Sequence, residues 1–184
     1  MGEGLQFLVL PRAILFALSL LLISIVALAE GPGDYQLGTG DNIRIHVFQE
    51  ADLTVEARIS DTGTISYPLL GEIRVAGLTI SQLEKKIFSG LKDGYLVNPQ
   101  VSISVAEYRQ FFINGEVKQP GAYAYAPGLT VRKAVSFAGG FAERAAKDNI
   151  FILHEGSANS KPERARIDDK VLPGDIITVE QSFF

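Results

Sequence analysis

The most informative stretch of this sequence is YQLGTGDNIRIHVF, which occupies Tyr35–Phe48. Within it, Asn42–Val47 places apolar residues at the odd positions and polar residues at the even ones. That period of two indicates a half-buried β-strand, and the Gly-Thr-Gly-Asp before it supplies turn chemistry. Further short strands are predicted near Val55–Ile59, Thr64–Tyr67 and Ile73–Val75.

The hydrophobic period changes after these strands. Apolar residues from Ile80 to Leu91 are spaced like one face of a helix. Thr79 and Gln82 stand three residues apart at its start, which predicts a capping box. Gly94 ends this helix, and an alternating strand is predicted at Val101–Val105.

A second unit of the same kind begins near Tyr108. It has predicted strands at Phe111–Ile113, Ile150–Leu153 and Ile176–Val179, and a helix that follows Thr130 and ends at Gly139-Gly140. The polar stretch 156–163 is predicted to be a loop. Each half therefore combines several short strands with one helix, which is an α+β pattern.

Composition limits the possible functions. The 184 residues include 17 Lys and Arg against 21 Asp and Glu, so the net charge is −4. This mild acidity argues against nucleic acid as a partner, because such proteins normally present a basic face. The chain has no Cys, which excludes disulfides, zinc-thiolate sites, thiol nucleophiles and lipid attachment through cysteine. Residues 30–107 carry a net charge of −5 and residues 108–184 carry +1.

The first thirty residues indicate export. An apolar run from Ala13 to Ala29 follows Arg12 and ends in Ala27-Leu28-Ala29, the small-x-small pattern that signal peptidases accept. We predict a signal peptide at residues 1–29, cleaved between Ala29 and Glu30. The alternative is a retained membrane anchor. Residues 30–34 then form a short leader, 35–107 a first domain and 108–184 a second.

The sequence contains few candidates for chemistry. Asp61-Thr62-Gly63-Thr64 matches the short signature of aspartic proteases, but Asp-Thr-Gly also suits a tight turn between strands, and we predict the turn. His46 and His154 each lack a second imidazole at the spacing of metal ligands. No motif supports a glycosidase or an elbow-type serine hydrolase. We therefore predict no catalytic residue, no cofactor, no metal and no enzymatic activity.

Each half contains a series of short motifs in a specific order. The first half contains Tyr35–Phe48, Ser60–Ile65, Pro68–Ile73, Ala76–Thr79 and Asn98–Val101. The second half contains Gly115–Val117 with Pro120-Gly121, Ala138–Phe141 and Pro173–Ile177. In this order and spacing, the first half resembles the polysaccharide biosynthesis/export family, which comprises Wza-like outer-membrane polysaccharide exporters, and the second resembles the SLBB domain, a β-grasp-like module.

This resemblance implies a structural role in export. Members stack their domains into homo-oligomeric rings that form a periplasmic conduit for capsular polysaccharide or exopolysaccharide. An inner-membrane polysaccharide co-polymerase, often a tyrosine kinase, docks beneath the ring. We expect a periplasmic protein associated with the outer membrane of a Gram-negative bacterium, which supplies a collar and depends on a separate outer-membrane pore protein. The alternative is a soluble periplasmic module that binds a glycan or small ligand without transport.

Overall fold

The computed structural model describes residues 35–155 and 161–182. The first half of this region folds around one hydrophobic cluster, whose buried members lie between Leu37 and Ile103. Its elements in chain order are β1 (Asn42–Val47), a 3-10 turn (Ala51–Leu53), β2 (Val55–Arg58), β3 (Thr64–Tyr67), β4 (Gly71–Arg74), α1 (Ile80–Lys92) and β5 (Val101–Glu107).

The central strand of the first half is β1. It pairs antiparallel with β2 on one side and with β5 on the other, so that Ile45 lies opposite both Val55 and Ile103. Its odd-numbered side chains are at most 1% exposed, which confirms the alternation predicted for Asn42–Val47. The hairpin of β3 and β4 forms a separate two-stranded sheet.

Helix α1 covers this core with Leu83, Ile87 and Leu91, all of which are fully buried. The predicted capping box is confirmed: the Gln82 N–H donates to Thr79 Oγ1 over 3.3 Å, and the Thr79 N–H donates to Gln82 Oε1 over 2.9 Å. The helix also packs against β5.

The side chain of Glu84 links α1 to the edge of the three-stranded sheet. The backbone N–H of Ile103 in β5 donates to Glu84 Oε1 over 2.9 Å. A helix carboxylate thus occupies a donor on the outer edge of β5.

The second half has its own hydrophobic cluster, with buried members between Phe111 and Val179. Its elements in chain order are β6 (Phe111–Gly115), β7 (Gly121–Tyr123), α2 (Val131–Phe137), β8 (Ala145–Leu153), β9 (Glu163–Ala165) and β10 (Ile176–Gln181). The strands lie in the order β7-β6-β10-β8-β9, and of the neighbouring pairs only β6 and β10 run parallel. Helix α2 connects β7 to β8 and buries Val131, Ala134 and Val135 in the cluster. This is the β-grasp arrangement that the resemblance implied.

The structure corrects two features of the second half. β8 begins at Ala145, five residues before the predicted start at Ile150, and Glu163 belongs to β9 although the sequence predicted a loop there. β9 is a three-residue edge strand that pairs with β8 and buries only Ala165. A strand this short and polar has no hydrophobic alternation, so periodicity could not indicate it.

The predicted signal peptide, its cleavage between Ala29 and Glu30, and the predicted leader at residues 30–34 fall outside the described residues. The domain limits 35–107 and 108–184 remain predictions, and residues 104–110 separate the two clusters along the chain. Between residues 35 and 182, apart from 156–160, no helix has both the length and the apolar character to cross a membrane.

Candidate functional site

Two turns of the same construction bury two carboxylates. They are Gly38–Asp41, before β1, and Leu172–Asp175, before β10. In each turn the aspartate N–H donates to the carbonyl three residues earlier over 3.2 Å, and the N–H of that earlier residue donates to the aspartate Oδ2, over 2.8 and 2.6 Å respectively. The third residue is glycine at φ +90° and +87°, as a type II turn requires. Asp41 and Asp175 are both 0% exposed.

Arg109, in the connection between β5 and β6, joins the two halves through its backbone and its guanidinium. Its backbone N–H donates to Asp41 Oδ1 over 2.9 Å, and its Nη1 donates to Asp41 Oδ2 over 3.1 Å and to the Tyr35 hydroxyl over 2.7 Å. Its Nε donates to Glu155 Oε2 over 2.6 Å. The Arg109 side chain is only 17% exposed. One arginine therefore connects a buried carboxylate of the first half to a carboxylate at the end of β8.

Both turns are shaped to let this guanidinium approach. A Cβ added to Gly38 would overlap Arg109 Nη1, and one added to Gly174 would overlap Glu155 Oε2 and lie 2.7 Å from Arg109 Nε. A larger residue at Gly38 would require the Arg109 guanidinium to shift, and one at Gly174 would require the Glu155 carboxylate and the guanidinium to shift. The guanidinium is thus held between the two Gly-Asp turns.

Tyr35 contacts Arg109 and begins a row of three tyrosines. The Tyr35 hydroxyl donates to Asp41 Oδ2 over 2.5 Å, and its ring makes an edge-to-face contact with Tyr108 at 5.2 Å. Tyr108 makes the same kind of contact with Tyr125, also at 5.2 Å. Burial, followed by the hydrogen bond to Asp41, raises the pKa of Tyr35 far above its ordinary value. Tyr35 therefore keeps its proton and acts as a neutral donor to Asp41.

The second buried carboxylate has a titratable neighbour. Asp175 Oδ1 lies 2.9 Å from His154 Nδ1, while Oδ2 accepts the Leu172 N–H. Burial raises the pKa of Asp175 above its ordinary value, although the Leu172 N–H, His154 and Arg109 all act in the opposite direction. These neighbours therefore compensate only part of the free-energy cost of burying the Asp175 carboxylate.

This raised pKa predicts a pH-dependent difference between the wild type and Asp175→Asn. A carboxyl whose folded pKa exceeds its unfolded value contributes stability that is complete below the unfolded pKa and is lost as the pH rises through the folded pKa. The stability of the wild type relative to Asp175→Asn should therefore decrease as the pH rises above about 4. Urea denaturation from acid to neutral pH measures it.

Asp168→Asn is the matched control for this series. The Asp168 side chain is 71% exposed, so its relative stability should change less over the same range. A wild type that gains stability over Asp175→Asn as the pH rises would contradict the prediction.

A cleft of about 460 Å³ opens beside Arg109. The two Gly-Asp turns contribute Thr39, Gly40 and Gly174 to its wall, and both halves contribute side chains. Among these side chains are Arg58, Glu107, Phe112 and Glu155.

The candidates singled out in the sequence lie apart from this site. Asp61 is exposed in the turn between β2 and β3, where the Thr64 N–H donates to Ser60 Oγ over 3.2 Å. His46 is exposed on β1, and His154 follows β8 beside Asp175. Within residues 35–155 and 161–182, no group of three or more His, Cys, Asp or Glu side chains could hold a metal ion.

Neither the contacts of Arg109 nor the burial of Asp41 and Asp175 was predicted from the sequence. One signal was available: a Gly-Asp pair precedes the apolar strand residues at both Gly40-Asp41 and Gly174-Asp175. Their common partner could not be read from the pattern, because Arg109 lies 68 residues after Asp41 and 46 before Glu155.

The fold is that of a two-domain α+β protein whose second half is a β-grasp module, with Arg109 joining the two halves. Residues 29–106 match the family described as polysaccharide biosynthesis/export protein, and residues 110–161 match the SLBB domain. The chain belongs to the polysaccharide export protein family and carries an SLBB domain after its export domain.

Individual relatives agree with this assignment. The exopolysaccharide production protein ExoF of Rhizobium meliloti (strain 1021) is 34% identical over 155 residues, covering 73% of this chain and 36% of the relative. The polysialic acid transport protein KpsD of Escherichia coli is 30% identical over 92 residues, covering 49% and 16%. The EPS I polysaccharide export outer membrane protein EpsA of Ralstonia nicotianae is 29% identical over 133 residues, covering 58% and 34%. This chain spans about a third or less of the length of these relatives.

Proposed function

We propose that this chain is a structural component of a capsular polysaccharide or exopolysaccharide export system, in which copies of it assemble into a ring-like periplasmic conduit. The observation that carries the proposal is the succession of an export domain and an SLBB domain. Relatives that match this chain are named for exopolysaccharide production, polysialic acid transport and polysaccharide export. The proposed location is the periplasm of a Gram-negative bacterium, in association with the outer membrane.

The contacts that Arg109 makes with both halves support assembly as a rigid unit. Its bonds to Asp41, Tyr35 and Glu155 tie residues of both halves together. A ring closes only when every subunit presents its two contact surfaces at a fixed angle, since each interface joins different faces of neighbouring copies. Holding the two halves in one orientation provides that fixed angle.

Exposed apolar side chains on both halves support contacts between subunits. Tyr95 and Val97 of the first half are 51% and 94% exposed, and Phe137 and Leu172 of the second are 48% and 47% exposed. Burying apolar surface contributes roughly 25 cal/mol per Å² before the costs of association. The net charges of −5 on residues 30–107 and +1 on residues 108–184 would attract each other only weakly between subunits. The reason is that the screening length at physiological salt is about 8 Å. Apolar burial therefore supplies most of the proposed affinity.

The proposed partners follow from the export role. They are further copies of this chain, an inner-membrane polysaccharide co-polymerase or tyrosine kinase, a separate outer-membrane pore protein and the polysaccharide itself. The proposed role involves no catalysis. In support, the protease-like Asp61 lies in an exposed turn stabilised by Ser60.

Deletion of the gene tests the proposal. We expect surface polysaccharide to be lost while the intracellular synthesis machinery stays intact, because a conduit acts after synthesis. Surface polymer is measured on intact cells and lipid-linked precursors in extracts, with complementation by the wild-type gene as the control. Native mass spectrometry and negative-stain imaging of the purified protein should show a closed oligomer with a central opening.

Two results would overturn this proposal. Normal surface polysaccharide in the deletion strain, together with a monomeric protein that binds a ligand, would indicate the soluble binding module instead. A folded, normally assembled Asp61→Asn variant without export would point to an enzyme.

A further inference from the structure

We propose that the cleft beside Arg109 binds an uncharged, hydroxyl-rich segment of a sugar chain. This inference relies on the proposed function for the kind of polymer involved, while the site itself is defined by the structure. The cleft measures about 460 Å³, within the range of roughly 300–1,000 Å³ that small-molecule sites occupy. Its wall includes both halves of the chain, from Thr39 and Gly40 to Glu155 and Gly174.

The charges that line the cleft occur in matched pairs. Arg58 Nη2 lies 3.2 Å from Glu107 Oε2, and Arg109 Nε lies 2.6 Å from Glu155 Oε2. An anionic ligand would have to compete with a carboxylate for either guanidinium, and a cationic one would have to compete with an arginine. A hydroxyl avoids this competition, because it donates to a carboxylate and accepts from a guanidinium at the same time. The pairing therefore favours an uncharged ligand with many hydroxyl groups.

An exposed aromatic ring completes the site. Phe112 is 44% exposed in the cleft wall, whereas its neighbours in β6, Phe111 and Ile113, point into the core. A pyranose ring presents apolar C–H groups on its faces and hydroxyls around its rim. The Phe112 ring can pack against such a face while the paired charges and Gln110 meet the rim. This combination of apolar and polar contacts is what a small-molecule site uses to orient its ligand.

The shape of the site favours weak binding. The cleft is partly open to solvent, so only part of a bound sugar would be buried. A path for a moving polymer needs contacts that are strong enough to admit each segment and weak enough to release it. We therefore expect dissociation constants in the millimolar range, and measurements that detect weak complexes are required.

The test is ligand-observed and protein-observed NMR on the purified protein without its predicted signal peptide. The probes are three uncharged hexasaccharides, maltohexaose, cellohexaose and laminarihexaose, and the acidic hexagalacturonate as a charged comparison. At least one uncharged probe should bind with perturbed signals for Phe112 and Gln110, and hexagalacturonate should bind less tightly. Binding of none of the three uncharged probes, or tighter binding of hexagalacturonate, would overturn the proposal.

Two variants connect the binding to the cleft. Phe112→Ala should weaken the best uncharged probe at least tenfold, because the stacking surface is lost. Phe48→Ala removes an aromatic ring that is 54% exposed and lies outside the cleft, so it should leave the affinity unchanged. Equal affinities for the two variants would contradict the assignment to this cleft.

Glu107→Gln gives an independent check that leaves the aromatic surface in place. It removes the charge partner of Arg58, so the affinity for hexagalacturonate relative to the uncharged probe should rise at least threefold. An unchanged ratio would show that charge pairing does not set the preference.

Failure of the cleft proposal and failure of the export proposal are distinguishable, because all these readouts are binding measurements. If only the cleft proposal fails, export by the wild-type protein is intact. If only the export proposal fails, sugar binding is intact.

Discussion

Replacing Arg109 by alanine is expected to lower the free energy of unfolding by about 3 kcal/mol. Removing one partner of a buried ion pair typically costs 3–5 kcal/mol, because the other charge stays buried without compensation. Asp41 would keep three donors, the N–H groups of Gly38 and of residue 109 and the Tyr35 hydroxyl. These donors continue to stabilise its charge, which places the expected loss at the lower end of that range. Urea denaturation measures the change.

Arg58→Ala is the matched control for this substitution. Arg58 also pairs with a carboxylate in the cleft wall, but the side chains of Arg58 and Glu107 are 62% and 63% exposed. Exposed ion pairs contribute about 0–1 kcal/mol, so Arg58→Ala should stay within about 1 kcal/mol of the wild type. Similar losses for Arg58→Ala and Arg109→Ala would show that burial of Asp41 does not determine the effect.

A second substitution examines the same charge from the other side. Asp41→Asn should cost less stability in the Arg109→Ala background than in the wild type, because the ion pair that it breaks is already absent there. Interacting residues show such non-additivity, with coupling energies of about 0.5–3 kcal/mol. Strict additivity of the two single changes would argue against a direct interaction between Arg109 and Asp41.

Replacing Gly115 by alanine is expected to destabilise the second half by about 2–5 kcal/mol. Gly115 has φ +79°, where a residue with a Cβ is strained by about 1–2 kcal/mol. Its added Cβ would also overlap the carbonyl oxygen of Val179, which accepts the Glu116 N–H over 2.9 Å. Relieving that overlap requires β6 and β10 to move apart, and overpacking of this kind costs about 1–3 kcal/mol.

Gly128→Ala separates the two contributions. Gly128 has nearly the same backbone angle, φ +77°, but an added Cβ there meets nothing within 4 Å. It should therefore show only the backbone strain of about 1–2 kcal/mol. Unfolding midpoints measured by chemical denaturation report both changes. Equal midpoints for Gly115→Ala and Gly128→Ala would mean that the contact with Val179 has no energetic consequence.

Local sequence signals predicted the elements that depend on neighbouring residues. The alternation in β1 and the capping box at Thr79 and Gln82 are both set by residues at most a few positions apart, and both are confirmed. The edge strand β9 escaped prediction because its stability comes from pairing with β8, and only Ala165 within it is buried.

The candidate site depends on contacts between distant parts of the chain. Tyr35 and Arg109 are 74 residues apart, and no periodicity connects them. The turn motifs at Gly40-Asp41 and Gly174-Asp175 lie in stretches that carry the family resemblance, but the burial of their aspartates and their common neighbour Arg109 depend on the tertiary structure. Resemblance supplied the family and the β-grasp expectation, whereas the packing between the halves required the structure.

The hydrogen bond from Ile103 to Glu84 affects how copies of this chain can meet. An open strand edge is a template onto which another strand can add, and repeated addition leads to fibres. The Glu84 carboxylate accepts the Ile103 N–H, which is one of the donors on the β5 edge. A strand that added to this edge would have to displace the carboxylate and leave it without this hydrogen bond. Growth through β5 is thereby disfavoured, which favours side-chain contacts between copies in the proposed assembly. Such contacts can be limited to a fixed number of subunits.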